Sequence, residues 1–179
     1  PTSGAPLGAE IVGVDLSQEI DGPTFQAIDA AYNQHIVIVF RNQQLTPAQH
    51  LRFARRFGSL EVSPRTQFAL PGYPEILLLS NILDAAGRPI GNADAGRTWH
   101  TDLSYLPAPP SYTLLHAWDV PAAGGDTVWA NQTLAFETLS EGLRDTLRGL
   151  SAVHSAGMAY GTGGYLEAVR DKSSMAIEP

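Results

Sequence analysis

His100 and Asp102 stand two residues apart in RTWHTDLSYLP, residues 97–107. An imidazole nitrogen and a carboxylate oxygen are both metal donors. The run is aromatic and apolar enough to read as a strand, and side chains two apart on a strand leave from one face. On that reading His100 and Asp102 point one way, and Trp99 and Thr101 the other. An imidazole and a carboxylate converging in this way make two-thirds of a 2-His-1-carboxylate facial site. Such a site holds a non-haem Fe(II) and leaves positions open for oxygen and a chelating co-substrate. H-x-D also arises as a surface polar pair or a satisfied core pair, so the motif alone leaves both readings open.

A second cluster is PAAGGDTVWAN, residues 121–131. Gly124 and Gly125 free the backbone for a tight turn. An extended run after them puts Asp126 and Val128 on one face, Thr127 and Trp129 on the other. A threonine facing inward can hydrogen-bond an anionic ligand. A plain hairpin turn followed by a β-prone threonine is the simpler alternative for this cluster by itself.

The elements that must position these groups alternate between helix and strand signals. Asp21 and Pro23 open a helix carrying Phe25, Ile28 and Tyr32 at helical spacing. HIVIVF, residues 35–40, reads as a buried strand. Thr46, Pro47 and Gln49 form the start signal of the next helix, with a capping box, and Gly58 ends it. Residues 58–74 read as a proline-punctuated loop, 75–82 as a strand and 84–96 as a long loop. Strands are expected over 98–105, 112–120, 126–130 and 151–155. Asn131 or Thr133 caps one short helix, and Ser140 caps another with Leu143, Leu147 and Leu150 on one side. Residues 157–179 read as a mobile loop or frayed end.

Composition narrows the classes. The 179 residues are 44% hydrophobic and 16% charged, with a formal net charge of -7, which suits one globular domain. No basic stripe marks a nucleic-acid binder. No apolar run approaches the ~18–20 residues of a membrane span. There is no cysteine, so disulfides, thiolate metal sites and cysteine nucleophiles are excluded within these residues. A cytoplasmic location is the expectation.

WHTDLSY followed by GGDTVWAN resembles the TauD/TfdA family of Fe(II)- and 2-oxoglutarate-dependent dioxygenases. So does HIVIVFRNQQLTPAQHLRFARRFGSLE, as that family's N-terminal strand and helix, and GLSAVHS as a segment that follows its GGDT cluster. The resemblance runs through nearly the whole chain in the family's order. It implies a mainly β fold with flanking helices, a double-stranded β-helix or jelly roll. It implies that His100 and Asp102 are iron ligands, and that Thr127 hydrogen-bonds the distal carboxylate of 2-oxoglutarate. The implied co-substrates are 2-oxoglutarate and O2, with succinate and CO2 released as a C–H bond is hydroxylated.

The family's second iron-binding histidine and its 2-oxoglutarate-binding arginine lie far downstream and have no counterpart here. His35, His50, His116 and His154 do not sit at the corresponding place, and His116 and His154 read as core or strand-face residues. The expectation is therefore the N-terminal portion of one dioxygenase domain, 1–179, incomplete at the C-terminus. The open sheet edges of such a portion predict self-association into a homo-oligomer.

For the substrate, the taurine-pocket histidine and tyrosine of the family fall at Ser63 and Thr66, and its asparagine falls near Gly96. The taurine pocket is thus not reproduced. Residues 84–102 look more like the branch acting on aryloxyalkanoates, alkyl sulfates and sulfonates. A small anionic substrate calls for a cation; Arg65, Arg88 and Arg97 are candidates, and Asn81 is a further one. Two rival classes remain on the residues alone. One is a jelly-roll metal-dependent hydrolase or isomerase, and the other is a non-catalytic binding domain retaining the fold.

Overall fold

A computed structural model describes residues 2, 4–63, 65–93, 95–96 and 98–155. They fall into two compact units. One comprises Pro1–Ser59 with Leu114–Leu150, the other Leu60–Thr113 with Ser151–Pro179.

The first unit begins as a β-α-β crossover. Strand β1, Ala9–Ile11, pairs in parallel with β2, Ile38–Phe40, in the register Ala9↔Ile38, Glu10↔Val39 and Ile11↔Phe40. Parallel neighbours need a long connection, and helix α1, Gly22–His35, supplies it. The Asp21 carboxylate caps α1 by accepting from the Thr24 N–H at 2.7 Å. Asp21 is thereby held below the usual carboxylate range, chiefly by its bonds to Thr24. The predicted 35–40 strand is shorter than expected. His35 is the last residue of α1, and Ile36 turns to φ 69 while its N–H returns to the Tyr32 carbonyl at 2.7 Å. A β-branched residue in the left-handed region breaks an extended run.

Helix α2, Pro47–Ala54, starts with the predicted capping box. The Gln49 N–H donates to Thr46 Oγ1 at 3.3 Å, and the Thr46 N–H donates to Gln49 Oε1 at 2.8 Å. A 3-10 turn, Arg55–Phe57, continues it to Gly58, whose φ of 140 ends the run. Helix α2 presents Phe53 to Leu16 and Ile28, the buried centre of the unit. Phe25, Phe40, Phe53 and Phe57 stack edge-to-face with centroids 4.9 to 5.8 Å apart. Gln43 latches the β1–α1 connection to this core: Oε1 accepts from the Leu16 N–H, and Nε2 donates to the Val14 carbonyl. Helices α3, Gln132–Glu137, and α4, Glu141–Arg148, are capped by Asn131 and Ser140 as expected. The apolar stripe of α4 is exposed, and Leu150 lies beyond its end.

The second unit holds an antiparallel pair, β3, Ala69–Leu70, and β4, Tyr73–Leu77, with a bulge between Ala69 and Leu70. The expected 58–74 loop therefore contains a strand and a 3-10 turn, Thr66–Phe68. The expected 75–82 strand starts earlier and stops at Leu77. In the 84–96 loop Asp84 organises a turn. Its Oδ1 accepts from the Ala86 and Arg88 N–H groups and its Oδ2 from Arg88 Nε, all within 2.9 Å. These bonds, the Arg88 ones first, hold the Asp84 carboxyl below its ordinary range.

The strands expected over 98–105, 112–120, 126–130 and 151–155 are not formed among the described residues. Alternating apolarity marks faces, but a strand also needs a neighbour to take its N–H and C=O groups. None of these stretches finds one among the described residues. The segment after Asp102 is broken further by Leu103 at φ 46 and a turn closed by the Leu106 N–H on the Leu103 carbonyl. Residues 157–179 lie outside the described set. Among the described residues no helix is long and apolar enough to cross a membrane.

Candidate metal centre

His100 and Asp102 do meet, though not as neighbours on one face of a strand. His100 Nε2 stands 3.2 Å from Asp102 Oδ1, and the two side chains are 45% and 46% exposed. The ring is held from behind, because Nδ1 lies 2.7 Å from the Thr98 carbonyl oxygen. A carbonyl only accepts, so Nδ1 carries a proton and Nε2 is the ring nitrogen turned to the carboxylate. A ring nitrogen and a carboxylate oxygen 3.2 Å apart share a cation, either a proton on Nε2 or a metal.

The spacing suits a metal. Donors each ~2.1 Å from one ion on adjacent octahedral positions stand ~3.0 Å apart. A backbone carbonyl on the far ring nitrogen is the usual orienting partner of a ligating histidine. The donor set, one imidazole nitrogen and one carboxylate oxygen, fits a divalent first-row ion. Among the described residues no third His, Cys, Asp or Glu joins this pair.

The other oxygen of Asp102 is also engaged. Thr113 Oγ1 donates to Oδ2 at 2.7 Å. Thr113 was not legible as a site residue. It lies eleven positions after Asp102, and the only hint is the proline-rich turn LPAPP, residues 106–110, that brings the chain back.

The other described candidates have local surroundings of their own. Ser63 Oγ accepts from the Arg65 N–H at 3.1 Å, a local turn. Thr66 begins the 3-10 turn and is exposed. Asn81 is exposed and lies past the end of β4 instead of closing a strand. None of the three bonds to His100 or Asp102 among the described residues. Arg88 is clamped on Asp84 by a salt bridge of 2.8 Å, which occupies the guanidinium locally. Arg97 lies outside the described residues. Thr127 belongs to the first unit, exposed and irregular, two residues after the turn at Gly124 (φ 80) and Gly125 (φ 71). The strand expected to aim it is not formed.

The other histidines behave as structural groups. The Trp118 indole N–H donates to His116 Nδ1 at 2.8 Å, and His116 Nε2 donates to the Gln43 carbonyl at 3.3 Å. Both ring nitrogens are thus engaged. His50 packs edge-to-face on His116, centroids 5.8 Å apart. Burial, and then the neighbouring His116, pushes the His50 pKa down. His154 Nδ1 lies 2.9 Å from Ser104 Oγ.

Comparison with known proteins places the chain in a family. The family described as "Taurine catabolism dioxygenase TauD, TfdA family" matches residues 1–176. The chain is 38% identical over 161 residues to pentalenolactone F synthase of Streptomyces avermitilis, covering 88% of this chain and 52% of that one. It is 37% identical over 150 residues to an α-ketoglutarate-dependent sulfate ester dioxygenase of Pseudomonas putida, covering 83% of this chain and 46% of that one. A crystal structure of a taurine dioxygenase from Burkholderia xenovorans superposes with a TM-score of 0.61 at 32% identity, over 81% of this chain and 49% of that one. The chain spans about half the length of the curated relatives it matches. With the H-x-D pair and the GGDT turn in the family's order, the chain belongs to the TauD/TfdA dioxygenase family.

Proposed function

We propose that the protein is an Fe(II)- and 2-oxoglutarate-dependent dioxygenase that hydroxylates a small anionic substrate of the sulfate ester, sulfonate or aryloxyalkanoate type. The observation that carries this reading is His100 Nε2 facing Asp102 Oδ1 at 3.2 Å, with Nδ1 held by the Thr98 carbonyl, a spacing that suits two donors to one cation. His100 and Asp102 would hold the iron. When bound, ferrous ion and 2-oxoglutarate together supply the oxidising power for attack on a C–H bond. This chain's own part is to orient and to exclude. Thr98 and Thr113 hold the two donors in place from behind. Thr127 would donate its hydroxyl to the distal carboxylate of 2-oxoglutarate. The anionic end of the substrate suits Arg97, with Ser63, Thr66 and Asn81 as polar wall residues.

The match to a sulfate ester dioxygenase supports the substrate class. Residues 1–179 would form one dioxygenase domain with its relatives' jelly roll, in which the runs at 98–105, 112–120 and 126–130 become barrel strands.

The test is anaerobic addition of 2-oxoglutarate to the Fe(II)-loaded protein. A visible charge-transfer band of the chelate is expected, followed by succinate release when oxygen and an alkyl sulfate are admitted. Metal binding with no such band would favour a hydrolytic metalloenzyme. No metal binding at all would leave His100 and Asp102 as an ordinary ion pair.

A further inference from the structure

We propose that Thr113 is a positioning residue that ties down Asp102 Oδ2, so that Asp102 meets its cation through Oδ1 alone. The inference rests on the metal reading of His100 and Asp102. A carboxylate only accepts, so the 2.7 Å contact is the Thr113 hydroxyl donating to Oδ2. Donation to a charged oxygen is among the stronger hydrogen bonds. It leaves Oδ1 as the oxygen turned to His100 Nε2, 3.2 Å away.

Both donors are therefore braced on the side away from the cation. Thr98 braces the ring through Nδ1, and Thr113 braces the carboxylate through Oδ2. The brace matters here because no strand among the described residues holds this pair. Both side chains are about half exposed. A carboxylate on an exposed loop rotates freely and can bind an ion through both oxygens. With Oδ2 occupied it contributes one oxygen, which leaves one more position on the ion for exogenous ligands.

The backbone turns between the two residues, with the Leu106 N–H on the Leu103 carbonyl. Leu103 takes φ 46, a conformation that costs a side-chain-bearing residue energy and survives where surroundings demand it. Thr113, eleven residues on, then returns to Asp102.

The experiment compares Thr113→Val, which keeps the shape and removes the donor, with Thr113→Ser, which keeps the donor. Both are made in the full chain. Mn(II) affinity is read by the EPR signal of the free ion, and coordination by the visible spectrum of the Co(II)-loaded protein. Val is expected to weaken Mn(II) binding by ~10–100-fold, the usual effect of losing a group that orients a ligand. It should also shift the Co(II) spectrum, while Ser keeps both near the parent. Unchanged affinity and spectrum in the Val variant would overturn the proposal, as would a Ser variant as impaired as Val. Thermal melts of the variants separate unfolding from loss of the brace, and a destabilised Val variant leaves the Ser comparison to decide. Failure of the underlying metal reading looks different: the unmodified protein would bind no Mn(II), or His100→Ala would bind it equally well.

Discussion

Residues 9–57 and residues 98–130 carry the same kinds of apolar residue and meet opposite fates. In the first stretch Leu16, Ile28 and Phe53 are buried, and the rings of Phe25, Phe40 and Phe57 pack with them. In the second Trp99, Trp118, Val120, Val128 and Trp129 are all exposed, Trp99 by 73%. The difference lies in where each stretch finds its partners. The first is built from helices whose backbone bonds are internal, whose ends are capped by Asp21 and Thr46, and whose two strands pair with each other. The second is strand-like sequence that forms no sheet among the described residues, although Leu114 packs against the first stretch's core. Order at His100 and Asp102 comes instead from two point contacts, Thr98 and Thr113. One region is held by packing, the other by pins.

That contrast predicts a separation of effects. Phe53 is 5% exposed at the centre of the first region. Phe53→Ala should cost ~3–5 kcal/mol, the range for emptying a buried aromatic site. Denaturant unfolding checks it, and a loss under ~1 kcal/mol would mean that the core tolerates the cavity and the packing argument fails. His100→Ala should do the reverse. The side chain is about half exposed, so stability should move by no more than about 0.5 kcal/mol, as for ordinary surface positions. Metal binding, followed by Mn(II) EPR and by the Fe(II)–2-oxoglutarate band, should be lost. A large fall in stability with metal binding intact would show that the pair is structural, and the contrast would collapse.

The same division explains what could be read from the sequence. Helix starts were legible because their chemistry is local. Asp21, Thr46, Asn131 and Ser140 each accept an N–H three residues on. Gly58 likewise marks a stop by its own φ. The pairing of His100 with Asp102 was legible too, although by the wrong route. Two residues apart is close enough for a turn as well as a strand to bring them together, so the outcome survived the loss of the strand. Thr113 on Asp102, Gln43 on Leu16 and Trp118 on His116 were not all equally hidden. The last spans two residues, whereas the first two join positions eleven and twenty-seven apart. No periodicity encodes such contacts. Strand extents failed for a related reason: alternation is a property of one segment, and pairing is a property of two.

A smaller effect tests the local side of that argument. Thr46→Ala removes the oxygen that receives the Gln49 N–H and leaves in place the Thr46 N–H that donates to Gln49 Oε1. A loss of ~1 kcal/mol is expected, the usual value of an N-cap, with Thr46→Ser restoring most of it. Guanidinium unfolding resolves a change of that size. No change would mean that α2 is fixed by Phe53 packing alone and that its start signal contributes nothing to stability.

The smallest effect is a pH slope in the packed region. His50 has an ordinary pKa of 6.5, lowered in the folded chain first by burial and then by His116. The unfolded chain therefore takes up a proton at a higher pH than the folded one. Stability from this group is whole above pH 6.5 and is lost as pH falls towards the lowered folded value. His116, whose ring centroid lies 5.8 Å from that of His50, adds a Coulombic penalty to a charge on His50. The bonded carboxylates Asp15, Asp21 and Asp84 have the same sign but act in a lower window, below their ordinary 3.8. Melting temperatures compared between pH 8 and pH 5 thus isolate the histidine. The drop should shrink in His50→Gln, which cannot take up a proton, and should be unaffected by Asp84→Asn. An equal drop in His50→Gln would move the slope elsewhere and remove His50 from the account of how the packed region responds to acid.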